Sequence, residues 1–196
     1  FHLLPPGNWM NDPNGPVLFK GSYHLFHQLN PYGDRWGDMH WGHFRSDDLV
    51  HWRDEPIALW PTKSRGEEHC FSGSAVVRPD GRLMIFYTSI GNRAPEQWAA
   101  ISEDDEARVF RKHPASPLLT LKDHGDLKID DWRDPYVFPV GTRWFMVIGG
   151  HRAGGKGGIL LYQSDDLDHW TFRGIAHEGV ENNWECPNLI RIGERW

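Results

Sequence analysis

The chain has 196 residues, enough for one domain and part of a second, and at 39% hydrophobic and 24% charged it reads as a folded rather than disordered protein. Its formal net charge of −6 argues against a nucleic-acid partner, which needs a basic face to neutralise phosphates. No apolar run approaches the roughly 20 residues of a membrane span, so no membrane partner is expected. Two cysteines cannot make a disulfide framework or a Cys-x-x-Cys zinc site; one bridge between Cys70 and Cys186 is open to them, but free, buried thiols are the expectation.

Short strands are predicted over 16–19 and 23–28, joined by a turn at Gly21. The same pattern returns over 75–78 and 83–88 around Gly81, within the strong hairpin signal Pro79-Asp80-Gly81-Arg82. It returns again over 136–140 and 144–148 around Gly141, and a strand over 188–192 enters a turn at Gly193. These turns are spaced by 60, 60 and 52 residues. The heptapeptide Ser46-Asp47-Asp48-Leu49-Val50-His51-Trp52 recurs, with one change, as Ser164-Asp165-Asp166-Leu167-Asp168-His169-Trp170, and Ser102-Glu103-Asp104-Asp105 is a partial echo. Long helical periodicity is absent. Units of this length with three or four antiparallel strands describe propeller blades, whereas a sandwich does not require motifs at fixed intervals. Pro187 to Trp196 aligns with Pro135 to Trp144 at an offset of 52. Residues 1–196 are therefore read as one incomplete all-β propeller domain: three blades and the start of a fourth.

Propeller blades bring the same end of their innermost strands to a common axis. In three units that end carries a Trp, a carboxylate and a Pro: Trp9-Met10-Asn11-Asp12-Pro13-Asn14-Gly15, Trp132-Arg133-Asp134-Pro135 and Trp184-Glu185-Cys186-Pro187. The second unit has Cys70-Phe71-Ser72-Gly73-Ser74 instead, with no acid. Asp12, Asp134 and Glu185 are thus expected around one axial pocket. Glycosidic cleavage needs one carboxylate to attack or to activate water and one carboxylic acid to protonate the leaving oxygen. Crowding raises the pKa of one member and keeps it protonated. Taken singly, Asp-Pro and Asn-Gly are ordinary turn dipeptides; it is their register with the repeat that points to a site. The Ser-Asp-Asp heptapeptides read as turns with a packing Trp. The histidines show no metal-ligand spacing, and no metal or organic cofactor is called for. Gly150 to Gly157 nearly spells a phosphate loop, but Gly157 stands where Ser or Thr should be and a strand follows, so it reads as a hairpin.

These motifs resemble glycoside hydrolase family 32, the invertase, fructanase and sucrose-6-phosphate hydrolase family. Trp9 to Gly15, Arg133-Asp134-Pro135 and Glu185-Cys186 look like its three signatures, in order. Trp36 to His43 and Phe71 to Ser74 are also family-like. Asn188 departs, standing where members commonly carry Asp. The resemblance implies a five-bladed β-propeller followed by a β-sandwich, of which the sandwich and last blades lie outside this chain. It implies Asp12 as nucleophile, Glu185 as general acid/base and Asp134 as transition-state stabiliser. Asn11, Gln28, Trp36, Phe71, Ser72 and Arg133 would line the fructose subsite, with Trp9 a weaker candidate for its wall. Arg133 is expected to hold Asp134 in place or keep its proton off.

The activity implied is release of terminal β-fructofuranosyl units from sucrose or fructans through a covalent fructosyl-enzyme. Transfer of that fructosyl group to a sugar, or carbohydrate binding without catalysis, would use the same pocket. Lys63, Arg65 and Arg93 are the cations a phosphorylated substrate would meet, although scattered surface cations are commoner.

Overall fold

Gly21, Gly81 and Gly141 adopt φ of 83°, 80° and 61°, a left-handed backbone that glycine reaches without a Cβ clash. Each closes the first hairpin of a sheet in a computed structural model that describes residues 3–196. The first sheet holds β1 (Trp9–Phe19), β2 (Ser22–Asn30), β3 (His40–Ser46) and β4 (Trp52–Leu59). The second holds β5 (Glu67–Val77), β6 (Leu83–Gly91), β7 (Glu96–Ser102) and β8 (Phe110–Lys112). The third holds β9 (Ile129–Val140), β10 (Arg143–Arg152), β11 (Gly157–Ser164) and β12 (Thr171–Glu178). Within each sheet the strands pair antiparallel in sequence order. Strand β5 packs between β1 and β9, so the first strands gather on one side and the sheets stand as three propeller blades around them.

The core lies between blades. Along β6, Leu83, Ile85 and Tyr87 enter the cluster shared with Phe26, Trp41 and Leu59 of the first blade. Met84 and Phe86 enter the cluster shared with Trp132, Met146 and Tyr162 of the third. Successive side chains on a strand point to opposite faces, so a strand covered on both faces reads as an unbroken apolar run rather than an alternation. Each large side chain buried this way contributes about 1.5–3 kcal/mol.

The two heptapeptides form the β3–β4 and β11–β12 turns with matching hydrogen bonds. Ser46 Oγ accepts from the Leu49 N–H at 2.9 Å and Ser164 Oγ from the Leu167 N–H at 2.8 Å. Asp48 and Asp166 then cap the N–H groups of His51 and His169 at 2.7 and 2.8 Å. Trp52 and Trp170 donate Nε1–H to the Leu49 and Leu167 carbonyls at 3.1 and 2.9 Å. Residues 150–157 lie at the β10–β11 hairpin, as the strand after them implied.

The expected strand over 188–192 does not form: Gly193 makes its turn (φ 61°), but Ile192 makes only an isolated bridge to Arg195.

Candidate active site

Three of the predicted motifs coincide with breaks in strand register. In β1, Met10 pairs Leu29 and Pro13 pairs His27, so Asn11 and Asp12 oppose Gln28 alone. In β5, Cys70 pairs Ser89 and Gly73 pairs Tyr87, so Phe71 and Ser72 oppose Thr88. In β9, Arg133 pairs Gly149 and Tyr136 pairs Val147, so Asp134 and Pro135 oppose Ile148. Two residues against one is a β-bulge, which bends the strand and re-aims a side chain out of the ordinary alternation. The opposed residues 28, 88 and 148 keep the 60-residue spacing of the turns. The fourth contribution, Trp184-Glu185-Cys186, comes from irregular chain after β12.

The bulges and this segment enclose a cavity of about 340 Å³. Asp12, Asp134 and Glu185 all line it, and Arg133 is the cation among its lining residues. Asn11, Gln28 and Ser72 supply neutral polar groups, while Trp36 and Phe71 form an aromatic rim with ring centroids 6.0 Å apart and edge to face. All nine residues expected at the site therefore meet in one place.

The acids are held by short, specific contacts. Ser72 donates its hydroxyl to Asp12 Oδ2 at 2.6 Å, and Asn11 Nδ2 donates to Asp12 Oδ1 at 3.2 Å. The Cys186 N–H donates to Asp134 Oδ2 at 2.9 Å, and Cys186 Sγ lies 3.5 Å from Asp134 Oδ2 and 3.8 Å from Asp12 Oδ2. One sulfur thus touches carboxylates from the first and third blades. Arg133 donates Nη2 to Glu185 Oε1 at 2.6 Å and Nη1 to Asp131 Oδ1 at 2.7 Å. Gln28 Nε2 donates to the Cys70 carbonyl at 3.0 Å, tying the first blade to the second beside the second bulge.

Burial raises the Asp134 pKa above its ordinary value. The Cys186 N–H and Arg133 act against that shift, and the Asp12 charge adds to it. Partial burial, then the charges of Asp134 and Asp12, push the Cys186 thiol up, so it stays a thiol near neutral pH.

Several expectations change. Cys70 is a free, buried thiol, but Cys186 is exposed, because the irregular segment carries it to the cavity edge rather than into a sheet interface. Of the two roles expected of Arg133 toward Asp134, its charge does oppose protonation of that acid, but it approaches only to 4.0 Å and its close partners are Glu185 and Asp131, so it orients Glu185 more than Asp134. Trp9 is not among the cavity's lining residues. It donates Nε1–H to Asn11 Oδ1 at 2.8 Å and so supports the residue that touches Asp12. Asn188 donates Nδ2 to the Cys186 carbonyl at 2.9 Å. Lys63 pairs with Asp38 at 3.2 Å, Arg93 with Glu96 at 2.9 Å, and Arg65 stacks on Trp98 with its guanidinium carbon 4.2 Å from the ring centroid. None of the three lines the cavity.

Sequence reasoning passed over Thr88 and Gly149. Thr88 accepts the Asp134 N–H, and a Cβ on Gly149 would lie 2.2 Å from the Trp184 carbonyl oxygen. The 60-residue interval from Gln28 marks Thr88.

Residues 2–196 match the family described as Glycosyl hydrolases family 32 N-terminal domain. The chain belongs to glycoside hydrolase family 32. Among its relatives in the family, the sucrose-6-phosphate hydrolase of Escherichia coli is 40% identical over the whole chain, which spans 42% of that protein. The insoluble β-fructofuranosidase isoenzyme CWINV3 of Arabidopsis thaliana is 36% identical over 98% of the chain and 34% of its own length. Among solved family 32 structures, the Bombyx mori β-fructofuranosidase BmSUC1 superposes with a TM-score of 0.88 at 39% identity, over 98% of this chain and 41% of that one. The chain thus spans about two fifths or less of the length of these family members.

Proposed function

We propose that this chain forms the catalytic-propeller part of a longer retaining glycosidase that releases terminal β-fructofuranosyl units from sucrose or fructans. The observation that carries the reading is the single cavity in which Asp12, Asp134 and Glu185 converge against an aromatic rim. Support comes also from relatives described as sucrose-6-phosphate hydrolases, β-fructofuranosidases and a fructan 6-exohydrolase. Two solved relatives carry sugars: a BmSUC1 mutant with sucrose, and a Cichorium intybus fructan 1-exohydrolase variant with 1-kestose.

In this mechanism the Asp12 carboxylate attacks the anomeric carbon of the fructosyl unit while Glu185 protonates the departing glycosidic oxygen. The bond to the leaving sugar breaks and a fructosyl–Asp12 ester forms. Glu185, now a carboxylate, takes a proton from water, and the resulting nucleophile releases fructose and restores Asp12. Asp134 holds the ring hydroxyls and faces the positive charge that builds on the oxocarbenium-like ring. Ser72 and Asn11 keep the Asp12 carboxylate aimed, and Arg133 anchors Glu185 at the cavity mouth. Trp36 and Phe71 supply apolar faces for the sugar.

The test is a product assay on the intact protein with sucrose, sucrose 6-phosphate and inulin in parallel. Asp12→Asn and Glu185→Ala are each expected to abolish measurable fructose release, and Asp134→Asn to lower it about 100- to 1,000-fold, to a slow but measurable rate. Near-normal turnover in a folded Asp12→Asn protein would end the reading.

A further inference from the structure

Asp134 is a non-glycine residue with φ of 67° inside a strand, a conformation that persists only where its surroundings over-determine it. Two contacts do so. Its carboxylate accepts the Cys186 N–H, and its own N–H leaves the β9–β10 ladder at the bulge and donates to Thr88 Oγ1 at 3.0 Å. Thr88 sits on β6 of the second blade, fully buried, and does not line the cavity.

The Thr88 hydroxyl has one proton, and it goes to Gln97 Oε1 at 2.8 Å. That donation turns a lone pair toward the Asp134 N–H. Gln97, also fully buried, is oriented in turn because its Nε2 donates to the Trp132 carbonyl at 3.4 Å. A flipped amide would set its oxygen against that carbonyl. The donations therefore run in one sense, from the Asp134 N–H through Thr88 and Gln97 to the Trp132 carbonyl, and the backbone through Arg133 joins the ends into a loop. Thr88 also opposes the Phe71–Ser72 bulge, and Ser72 holds Asp12. One residue stands where the supports of two acids meet.

We propose that Thr88, with its hydroxyl oriented by Gln97, is a positioning residue that fixes the left-handed backbone of Asp134 and so the place of its carboxylate in the cavity. This rests on the reading of Asp134 as the group that stabilises the transition state. Thr88 itself touches no substrate. Its removal is expected to displace Asp134 and slow turnover while leaving most of the sugar-binding surface in place.

The experiment compares Thr88→Val, Thr88→Ser, Asp134→Asn and the Thr88→Val/Asp134→Asn double variant of the intact protein in sucrose hydrolysis, with thermal unfolding of each. Valine keeps the shape and removes the hydroxyl; serine keeps the hydroxyl. Thr88→Val is expected to lower kcat about 10- to 100-fold with KM changed less than about threefold, and Thr88→Ser to recover most of the loss. In the Asp134→Asn background, Thr88→Val is expected to add less than about threefold, since residues acting as a unit are non-additive. A folded Thr88→Val protein with kcat within threefold of the parent, or the same fold-loss in both backgrounds, would overturn the proposal. Should Thr88→Val not fold, Gln97→Met serves instead: a kcat-selective loss of about 3- to 10-fold supports the loop, and unchanged kcat overturns it. Parent-like turnover in Asp134→Asn alone would refute the role given to Asp134. A strongly slowed Asp134→Asn beside normal Thr88→Val would refute only the role given to Thr88.

Discussion

The Gly149→Ala variant is the sharpest test of how the third blade sets Glu185. Gly149 lies on β10, paired with Arg133 of β9 and Ile159 of β11, and the backbone of Trp184 and Glu185 runs against it. A Cβ at this position would lie 2.2 Å from the Trp184 carbonyl oxygen and 3.0 Å from its carbon. An ordinary carbon–oxygen approach is about 3.3 Å, so the 184–185 backbone must retreat by about 1 Å. β10 is locked in a ladder on both edges, and the irregular segment is the side that yields. Glu185 moves with it, away from its 2.6 Å contact with Arg133. A misplacement of about 1 Å at a reacting group costs about 100-fold in rate. Steady-state hydrolysis of sucrose by the intact protein is expected to show that loss in kcat. On the proposed role of Glu185 as general acid, the loss should be smaller on an activated aryl β-fructofuranoside, whose leaving group needs less protonation. Gly91→Ala provides the control: its Cβ would meet the Gly66 carbonyl oxygen at 1.9 Å, an equally severe clash, but with the Gly66 and Glu68 backbone rather than that of Trp184 and Glu185. It is expected to lower the unfolding midpoint with kcat kept within about threefold. A folded Gly149→Ala protein with parent-like kcat, or equal losses on both substrates, would refute the reasoning.

Three further outcomes are expected. Ser72→Ala removes the 2.6 Å hydrogen bond to Asp12 and should lower kcat/KM about 10-fold, the worth of one charge-assisted hydrogen bond; initial rates on sucrose check it. Lys112→Met strands the fully buried Glu67 carboxylate, which Lys112 contacts at 3.0 Å. The cost is about 3 kcal/mol, the lower end for a broken buried pair, because Tyr87 and the Thr62 N–H still serve Glu67; urea unfolding at pH 7 measures it. Burial holds His24 at about 4 and His43 at about 3, against an ordinary value of 6.5. The unfolded chain therefore takes up protons below pH 6.5 that the folded chain refuses, so stability falls as pH drops from 6.5 toward 4. Each such histidine contributes up to about 1.4 kcal/mol per pH unit. His43→Gln should flatten that slope by about one proton's worth, and an unchanged slope would contradict the assignment.

Much of this architecture is legible in the sequence because a repeat writes each blade more than once. The turns at Gly21, Gly81 and Gly141 fix the phase, and that phase brings Asp12 and Asp134 to the same end of their strands although neither motif is diagnostic alone. Cys186 and residues 188–192 were less readable for a physical reason. The strand was expected from the repeat and the buried thiol from the cysteine count, whereas pairing and burial need neighbouring strands, and this segment lies outside the three sheets. Arg133 was half legible: its charge does oppose protonation of Asp134, but its hydrogen bonds go to Glu185 and Asp131, partners that adjacency to Asp134 does not announce.

The bulges explain why the polar supports stayed hidden while the acids did not. A bulge exists only between two strands, so nothing in Asn11-Asp12, Phe71-Ser72 or Asp134-Pro135 announces it; the shared property belongs to the opposed set Gln28, Thr88 and Ile148. At the first two interfaces that opposed residue is polar and clasps the next blade, Gln28 to the Cys70 carbonyl and Thr88 to the Asp134 N–H. At the third it is Ile148, whose side chain has no group to donate or accept, and the neighbouring Gly149 instead lets the Trp184–Glu185 backbone approach. A side-chain hydrogen bond therefore fixes the Asp134 backbone, while steric clearance admits the backbone that carries Glu185, whose carboxylate Arg133 then holds. Thr88→Val and Gly149→Ala should accordingly fail differently: the serine variant recovers the first, and no residue with a Cβ recovers the second.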